Sequence, residues 1–145
     1  MQKLLISILF FFVCDCAMAT DFSGTYDCHL TDHSDGPFTA TLILKKDESA
    51  SFADVGYGSY LVNFHVKGIP YAYTGMAAAR GNDLALYFES TGSNKNPDDR
   101  GVGIASIIVD QDKEGKNVVS FHKFYYEKSY KGKSNYGFEQ CIKVK

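Results

Sequence analysis

The chain has 145 residues, of which 45% are hydrophobic and 22% are charged, and its formal net charge is −2. It contains 13 glycines, 3 prolines, 10 tyrosines and 11 phenylalanines, but no tryptophan. This composition excludes a disordered chain, a collagen-like repeat and a strongly cationic nucleic-acid-binding protein, because none of these combines so much apolar side chain with so little charge. The length suits one globular domain.

Residues 1–19 predict a signal peptide for export. Lys3 supplies the positive start, Leu4 to Val13 form an apolar run, and Ala17-Met18-Ala19 supplies the small residues of a cleavage site. The run is too short to span a bilayer, and no later stretch approaches the roughly 20 apolar residues that a spanning helix needs. We therefore expect a periplasmic or secreted protein without a membrane span, with a single domain over residues 20–145.

Cleavage of the signal would leave two cysteines, Cys28 and Cys141. No Cys-x-x-Cys spacing is present, and the expected compartment is oxidising. The pair therefore predicts a structural disulfide rather than a metal site or a nucleophile. Such a bond would place the first and last strands side by side.

Alternation of apolar and polar residues dominates the chain from Phe22 onward, and helical periodicity is scarce. In the segment Phe38 to Leu44, for example, Phe38, Ala40, Leu42 and Leu44 share one face. The predicted strands are 22–30, 38–46, 59–67, 71–78, 84–90, 102–110, 117–127 and 136–144. Short turns rich in Gly, Asp and Asn separate most of them. The pattern predicts an all-β fold and favours an antiparallel up-and-down barrel of about eight strands over a Greek-key sandwich.

The segment Val102 to Val109 is apolar on both faces. A strand with this pattern is expected to be covered on both sides, or to lie beside something that covers it.

Two connections are longer than the others, Asp47 to Gly58 and Thr91 to Gly101. Loops on a rigid scaffold often carry binding residues, and tyrosine combines a flat apolar ring with a polar tip. A solvated loop is the alternative for each connection. The residues predicted to bind a partner are Tyr57, Tyr60, Asp98, Asp99 and Arg100.

A metal site is not predicted. His29, Asp32, His33 and Asp35 lie within seven residues, but they occupy a strand end that runs into a turn, where residues four apart do not converge. These residues are interpreted as a polar turn.

No catalytic residue and no cofactor are predicted, since the sequence lacks a nucleophile elbow, a phosphate-binding loop, a His-Glu-x-x-His motif and a dinucleotide fingerprint. The basic stretch Lys128 to Lys133 would suit a nucleic acid, but expected export and the negative net charge argue for a solvated hairpin tip. No nucleic-acid partner is therefore expected.

Two short motifs resemble known families. Phe22-Ser23-Gly24-Thr25-Tyr26 resembles the start of calycin-type barrels such as lipocalins and avidins, which implies a small ligand inside the barrel. Tyr26-Asp27-Cys28, together with Cys141, resembles the terminal cysteine arrangement of small periplasmic lysozyme inhibitors of the membrane-bound/C-type family. That resemblance implies a lysozyme as partner, although the Ser-rich, Gly-Arg-Tyr inhibitory loop of the family is not found in this chain.

Three functional hypotheses follow. The first is an exported, non-enzymatic binding protein with a protein partner. One such protein would be an inhibitor of a cell-wall hydrolase such as lysozyme. The second is a carrier of a small apolar or amphipathic ligand, unless Phe64, Phe88, Phe121 and Phe124 fill the barrel. The third is a small secreted hydrolase that uses His65 or His122 with an acidic residue.

Overall fold

The computed structural model describes residues 20–70, 72–91 and 98–145. The predicted signal peptide lies outside these residues. Eight strands account for most of the described chain, and two 3-10 turns, Glu48–Ala50 and Ala53–Val55, lie between the second and third strands. The strands are β1 Gly24–Asp32, β2 Gly36–Lys46, β3 Tyr57–Val66, β4 Ala72–Arg80, β5 Asp83–Thr91, β6 Arg100–Gln111, β7 Asn117–Tyr130 and β8 Lys133–Lys143.

The strands form a closed antiparallel barrel in which each pairs with its sequence neighbours and β1 pairs with β8. The all-β prediction and the preference for an up-and-down barrel are confirmed. Cys28 lies directly opposite Cys141 in the β1–β8 register, and the two form a disulfide with an S–S distance of 2.01 Å. The predicted pairing is therefore confirmed.

The β7–β8 connection is tighter than predicted. The sequence suggested a turn from Lys131 to Asn135, but only Lys131 and Gly132 make it, with φ angles of 48° and 77°. Two consecutive residues with positive φ form the kind of two-residue turn whose twist matches antiparallel strands. As a result, Asn135 belongs to β8 and is buried inside the barrel.

One end of the barrel is closed by aromatic side chains. Phe22, Tyr26 and Tyr60 are each at most 2% exposed, and the Tyr26 hydroxyl donates a hydrogen bond to the Phe22 carbonyl oxygen over 2.6 Å. We call this the closed end. The opposite end, where the β1–β2, β3–β4, β5–β6 and β7–β8 connections lie, is the mouth end.

Three of the four phenylalanines considered as filling residues lie in the core. Phe64, Phe88 and Phe121 are buried, whereas Phe124 is 42% exposed on the outside of β7. The prediction for Phe124 is wrong, because residues of β7 alternate between the two faces and Phe121, Lys123 and Tyr125 occupy the inner one.

Candidate functional site

The middle of the barrel holds a buried ion pair. The ammonium of Lys123 on β7 contacts the carboxylate of Glu139 on β8, its cross-strand partner, and the Glu139 side chain has no exposed surface. The Lys123 nitrogen also lies 4.9 Å from the ring centre of Phe64, 5.7 Å from that of Phe88 and 5.4 Å from that of Tyr125. Such contacts with aromatic faces stabilise a desolvated cation.

Five polar side chains lie between this pair and the mouth end, each at most 6% exposed. We call them the polar layer, and they are Asp32, Ser90, Asp99, Glu127 and Asn135. They are located at or beside the mouth ends of β1, β5, β6, β7 and β8.

Asn135 connects two carboxylates of the polar layer. Its Nδ2 donates to Asp32 Oδ2 over 2.6 Å and to Glu127 Oε2 over 2.7 Å, while its Oδ1 accepts from Ser34 Oγ. Asp32 also accepts from the Tyr125 hydroxyl over 2.8 Å. Tyr125 reaches Asp32 because its ring lies over Gly137, where any Cβ atom would overlap the ring.

Burial changes the acidity of these groups. It raises the pKa of Glu127 to about 7, an effect that the negative charges of Asp99 and Asp32 increase and the hydrogen bond from Asn135 reduces. Burial also raises the pKa of Asp99, although hydrogen bonds from Tyr73 and Ser90 oppose the shift. At Asp99 and Glu127 the polar layer therefore favours the protonated carboxyl group more than water does.

We predict that Glu127 makes the protein less stable as the pH rises. The folded protein holds the Glu127 proton up to about pH 7, whereas the unfolded chain releases it near the ordinary pKa of 4.5. The contribution of the Glu127 proton to the free energy of unfolding is complete below pH 4.5 and is lost as the pH rises through 7. Between the two pKa values it falls by about 1.4 kcal/mol for each pH unit. Urea unfolding at pH 4.5, 6 and 7.5 would measure it.

The contribution of Glu127 is isolated by comparison with Glu127→Gln, because other carboxyl groups titrate over the same range. The stability difference between the wild type and Glu127→Gln should change with pH. Glu114 is exposed in the β6–β7 turn, so Glu114→Gln is the control, and its stability difference from the wild type should not change in this way. Identical pH dependence of the wild type and Glu127→Gln would contradict the prediction.

A cavity of about 60 Å³ lies inside the barrel and reaches the mouth end, where Asp32, Asp35 and Tyr130 line it. Glu127 and Lys123 also line the cavity, and deeper inside its wall is apolar, with residues such as Leu42 and Leu86. Sites for drug-sized ligands usually measure about 300 to 1,000 Å³. The interior in this conformation therefore has room only for a much smaller guest.

The outside of the barrel carries an exposed apolar surface that the sequence-based site did not include. In one cross-strand row Leu61, Met76, Tyr87, Val102, Tyr126 and Tyr136 follow one another from β3 to β8. In the adjacent row are Ile104, Phe124 and Phe138. We call these nine residues the outer apolar face.

Eight of these nine residues are between 42% and 65% exposed, Tyr87 being half-buried. Ring contacts link part of the face: the centres of Phe124 and Phe138 are 5.4 Å apart, and those of Tyr136 and Phe138 are 6.2 Å apart. Polar cross-strand neighbours border it towards the closed end, among them Ser106, His122 and Gln140. An apolar centre with a polar border is typical of protein-binding surfaces.

The predicted binding residues do not form one site. Tyr57 and Tyr60 begin β3 at the closed end, whereas Asp98, Asp99 and Arg100 precede or begin β6 at the mouth end. Residues 92–97 of the second long connection lie outside the described part of the chain.

The individual positions differ in what they present to solvent. Tyr60 is 1% exposed and its hydroxyl accepts a hydrogen bond from the Phe22 N–H, so that it belongs to the core. Asp99 is buried in the polar layer, whereas Asp98 and Arg100 are exposed. Tyr57 is half-buried and lines a shallow groove on the outer apolar face together with Met76, Ile104 and Phe124.

The histidines do not assemble a catalytic or metal-binding group among the described residues. His65 and His122 are exposed, and neither side chain forms a hydrogen bond or ion pair with a described carboxylate. His29 points outward, Asp32 points inward, and the ring of His33 stacks on Tyr136 at 4.9 Å. In the ranges described, the one group of three potential ligands within reach of one ion contains the disulfide-bonded cysteines and Glu139.

No known protein family, curated protein or solved structure matches the chain. Within residues 20–70, 72–91 and 98–145, no helix has the length and apolar character needed to cross a membrane.

Proposed function

We propose that the protein is an exported, non-enzymatic binding protein that holds a protein partner on its outer apolar face. The observation that carries this proposal is the continuous exposed surface formed by β3 to β8, on which Ile104 is 65% exposed and Phe138 is 57% exposed. Exposing so many large apolar side chains together is unfavourable in water, and soluble proteins tend to keep such surfaces where a partner covers them.

Two features support an extracytoplasmic site of action. Residues 1–19 have the pattern of a secretory signal, and the disulfide between Cys28 and Cys141 is compatible with an oxidising compartment.

A cell-wall hydrolase is the first partner to test. The support for this class is the resemblance of Tyr26-Asp27-Cys28 and Cys141 to the lysozyme inhibitors. The partner would rest on the outer apolar face, because the inhibitory loop of that family is not found in this chain. Tyr57, which lines the groove on this face, is the one residue of the original loop prediction that belongs to the proposed contact.

We expect Ile104→Ser and Phe138→Ser each to weaken a complex with a lysozyme at least tenfold. The physical reason is that a few residues near the centre of an interface carry most of the binding energy, and a tenfold loss corresponds to only about 1.4 kcal/mol. Isothermal titration calorimetry against a panel of lysozymes would measure the affinities. Both side chains are exposed, so the free energy of unfolding should change by no more than about 0.5 kcal/mol.

Val144→Ser provides the matched control, because Val144 is 51% exposed but follows β8 at the closed end, where its N–H donates to the Thr25 carbonyl oxygen of β1, a strand outside the outer apolar face. It should bind as the wild type does. Binding that is unaffected by Ile104→Ser and Phe138→Ser would refute the placement, and no binding to any lysozyme would refute this choice of partner. Sedimentation of the protein alone provides a further test, because a dimer lost in both variants would show that the face binds a second copy.

A further inference from the structure

The disulfide lies against the buried ion pair of the barrel. Cys28 is 1% exposed and Cys141 is 0% exposed, and Glu139 Oε1 lies 2.9 Å from Cys141 Sγ. A disulfide sulfur carries no hydrogen, so this contact is not a hydrogen bond. Glu139 therefore turns one carboxylate oxygen towards the Lys123 ammonium and the other towards the two sulfurs.

The oxygen that faces the sulfurs lacks a donor in the oxidised protein. Within residues 20–70, 72–91 and 98–145, no hydrogen bond reaches Glu139 Oε1, and its one polar neighbour of this kind is the Cys141 sulfur. The Glu139 side chain has no exposed surface, so water does not replace the missing donor. Buried acceptors almost always have a partner, and an oxygen without one calls for an explanation.

The two sulfurs and this carboxylate are close enough to share one ion. The ligand atoms of Cys28, Glu139 and Cys141 all lie within 4.8 Å of one another, and among the described residues no other group of three does so. Zinc binds thiolates at about 2.3 Å and carboxylate oxygens at about 2.0 to 2.2 Å, distances that place the ligands of one ion inside such a range.

The buried charges favour a divalent ion of this chemical type. Two thiolates and the Glu139 carboxylate together carry three negative charges, and Lys123, which contacts Glu139, carries one positive charge. A divalent cation makes this buried group neutral, whereas a monovalent cation leaves one net negative charge in the low-dielectric interior. Thiolate ligands also select zinc over magnesium and calcium, which prefer oxygen ligands alone.

We propose that Cys28, Cys141 and Glu139 bind one zinc ion when the disulfide is open. Every chain passes through this dithiol state, because cysteines are incorporated as thiols. The zinc ion replaces the two thiol protons, which go to the solvent, and two Zn–S bonds and one Zn–O bond form. Exchange with an oxidising disulfide later removes two electrons from the sulfurs, reduces that disulfide to two thiols and releases the ion. Zinc thus joins β1 and β8 until the disulfide does so.

The test compares the oxidised protein with the protein reduced by a water-soluble phosphine. The phosphine takes oxygen from water and becomes a phosphine oxide, while the S–S bond breaks and each sulfur gains a proton. Titration with Zn²⁺ against a colorimetric chelator should show one ion per reduced chain, bound at least about a hundredfold more tightly than by the oxidised protein. Exposed His122 and the other histidines are present in both states, so the oxidised protein accounts for their contribution.

Cobalt(II) identifies the ligand type directly. It should give a thiolate-to-cobalt charge-transfer band with the reduced protein and none with the oxidised protein. The double variant Cys28→Ala with Cys141→Ala should lack both this band and the tight zinc site. A band that is absent from the reduced wild type would overturn the proposal, since the ion would then not be held by the thiolates.

A second double variant tests the carboxylate. Lys123→Met with Glu139→Leu keeps both thiols and, because it removes one charge of each sign, the same net charge around them. After reduction it should bind Zn²⁺ at least about tenfold more weakly than the wild type. Glu114→Gln, which removes an exposed carboxylate in the β6–β7 turn, is the control and should bind as the wild type does.

The test remains decisive if the reduced protein unfolds without metal. Circular dichroism would then follow the same titration, and Zn²⁺ should restore the β-sheet signal of the wild type but not that of the double alanine variant. Equal zinc affinity of the oxidised and reduced proteins would overturn the site, and unchanged affinity in Lys123→Met with Glu139→Leu would overturn the role of Glu139. Neither result bears on the outer apolar face.

Discussion

Replacing Cys28 and Cys141 together by alanine is expected to lower the free energy of unfolding by about 5 kcal/mol. The disulfide joins residues separated by 113 positions in the sequence, so its loss releases almost the whole barrel chain in the unfolded state. Because domains of this size commonly have a stability of only about 5 to 15 kcal/mol, the variant should melt on the order of 15 °C lower. Calorimetry and urea unfolding would measure both quantities.

The control for this variant is the wild type after reduction, which keeps the same side chains but opens the same loop. Both should lose similar stability, since the bond and not the sulfur atoms constrains the unfolded chain. A double alanine variant that unfolds within about 1 kcal/mol of the oxidised wild type would contradict the expectation. It would mean that β1 and β8 stay together in the unfolded ensemble.

Replacing Lys123 by methionine is expected to destabilise the protein by about 3 to 5 kcal/mol. The substitution preserves most of the side-chain volume but leaves Glu139, which has no exposed side-chain surface, without its cation. Burial already raises the pKa of Glu139, and without Lys123 the carboxyl group would take up a proton at still higher pH. Urea unfolding at pH 7 would detect the loss.

The double variant Lys123→Met with Glu139→Leu separates the cost of an orphaned charge from the value of the pair. We expect it to recover most of the lost stability, because an apolar pair of similar size avoids the desolvation of both ions. If the double variant is as unstable as Lys123→Met, the pair itself contributes the stability. Recovery would indicate that the buried charges are retained for a reason other than stability.

The barrel could be predicted because the relevant signals are local. Apolar residues at every second position define a strand by themselves, and short polar turns between such segments leave few topologies open. The disulfide followed from counting, since only Cys28 and Cys141 remain after the predicted cleavage. The expectation that the segment Val102 to Val109 is covered on both faces was wrong for its outer face, because Val102 is 56% exposed and Ile104 is 65% exposed.

The polar layer could not be predicted because its residues look like ordinary turn and strand residues. Asp32 and Asn135 were assigned to turns, yet each is a buried strand residue near a hairpin. On β7 both faces contain aromatic residues, so the sequence does not indicate whether Lys123 or its neighbour Phe124 points inward. Such contacts depend on how the barrel closes, which no local pattern specifies.

The loop prediction failed to define one site for a similar reason. Length alone identified the connections that contain Tyr57 and Asp98, but antiparallel topology places them at opposite ends of the barrel. Spatial proximity depends on strand direction, which only the assembled fold supplies.

The closure of the sheet determines how any partner has to be recognised. Since β1 pairs with β8, each of the eight described strands has a neighbour on both sides, and the barrel that they form offers no free edge. A partner therefore cannot be captured by strand addition, in which main-chain hydrogen bonds supply affinity to almost any extended peptide. Selectivity must then come from contacts of side chains rather than from main-chain pairing, and the same closure protects the protein from edge-to-edge aggregation.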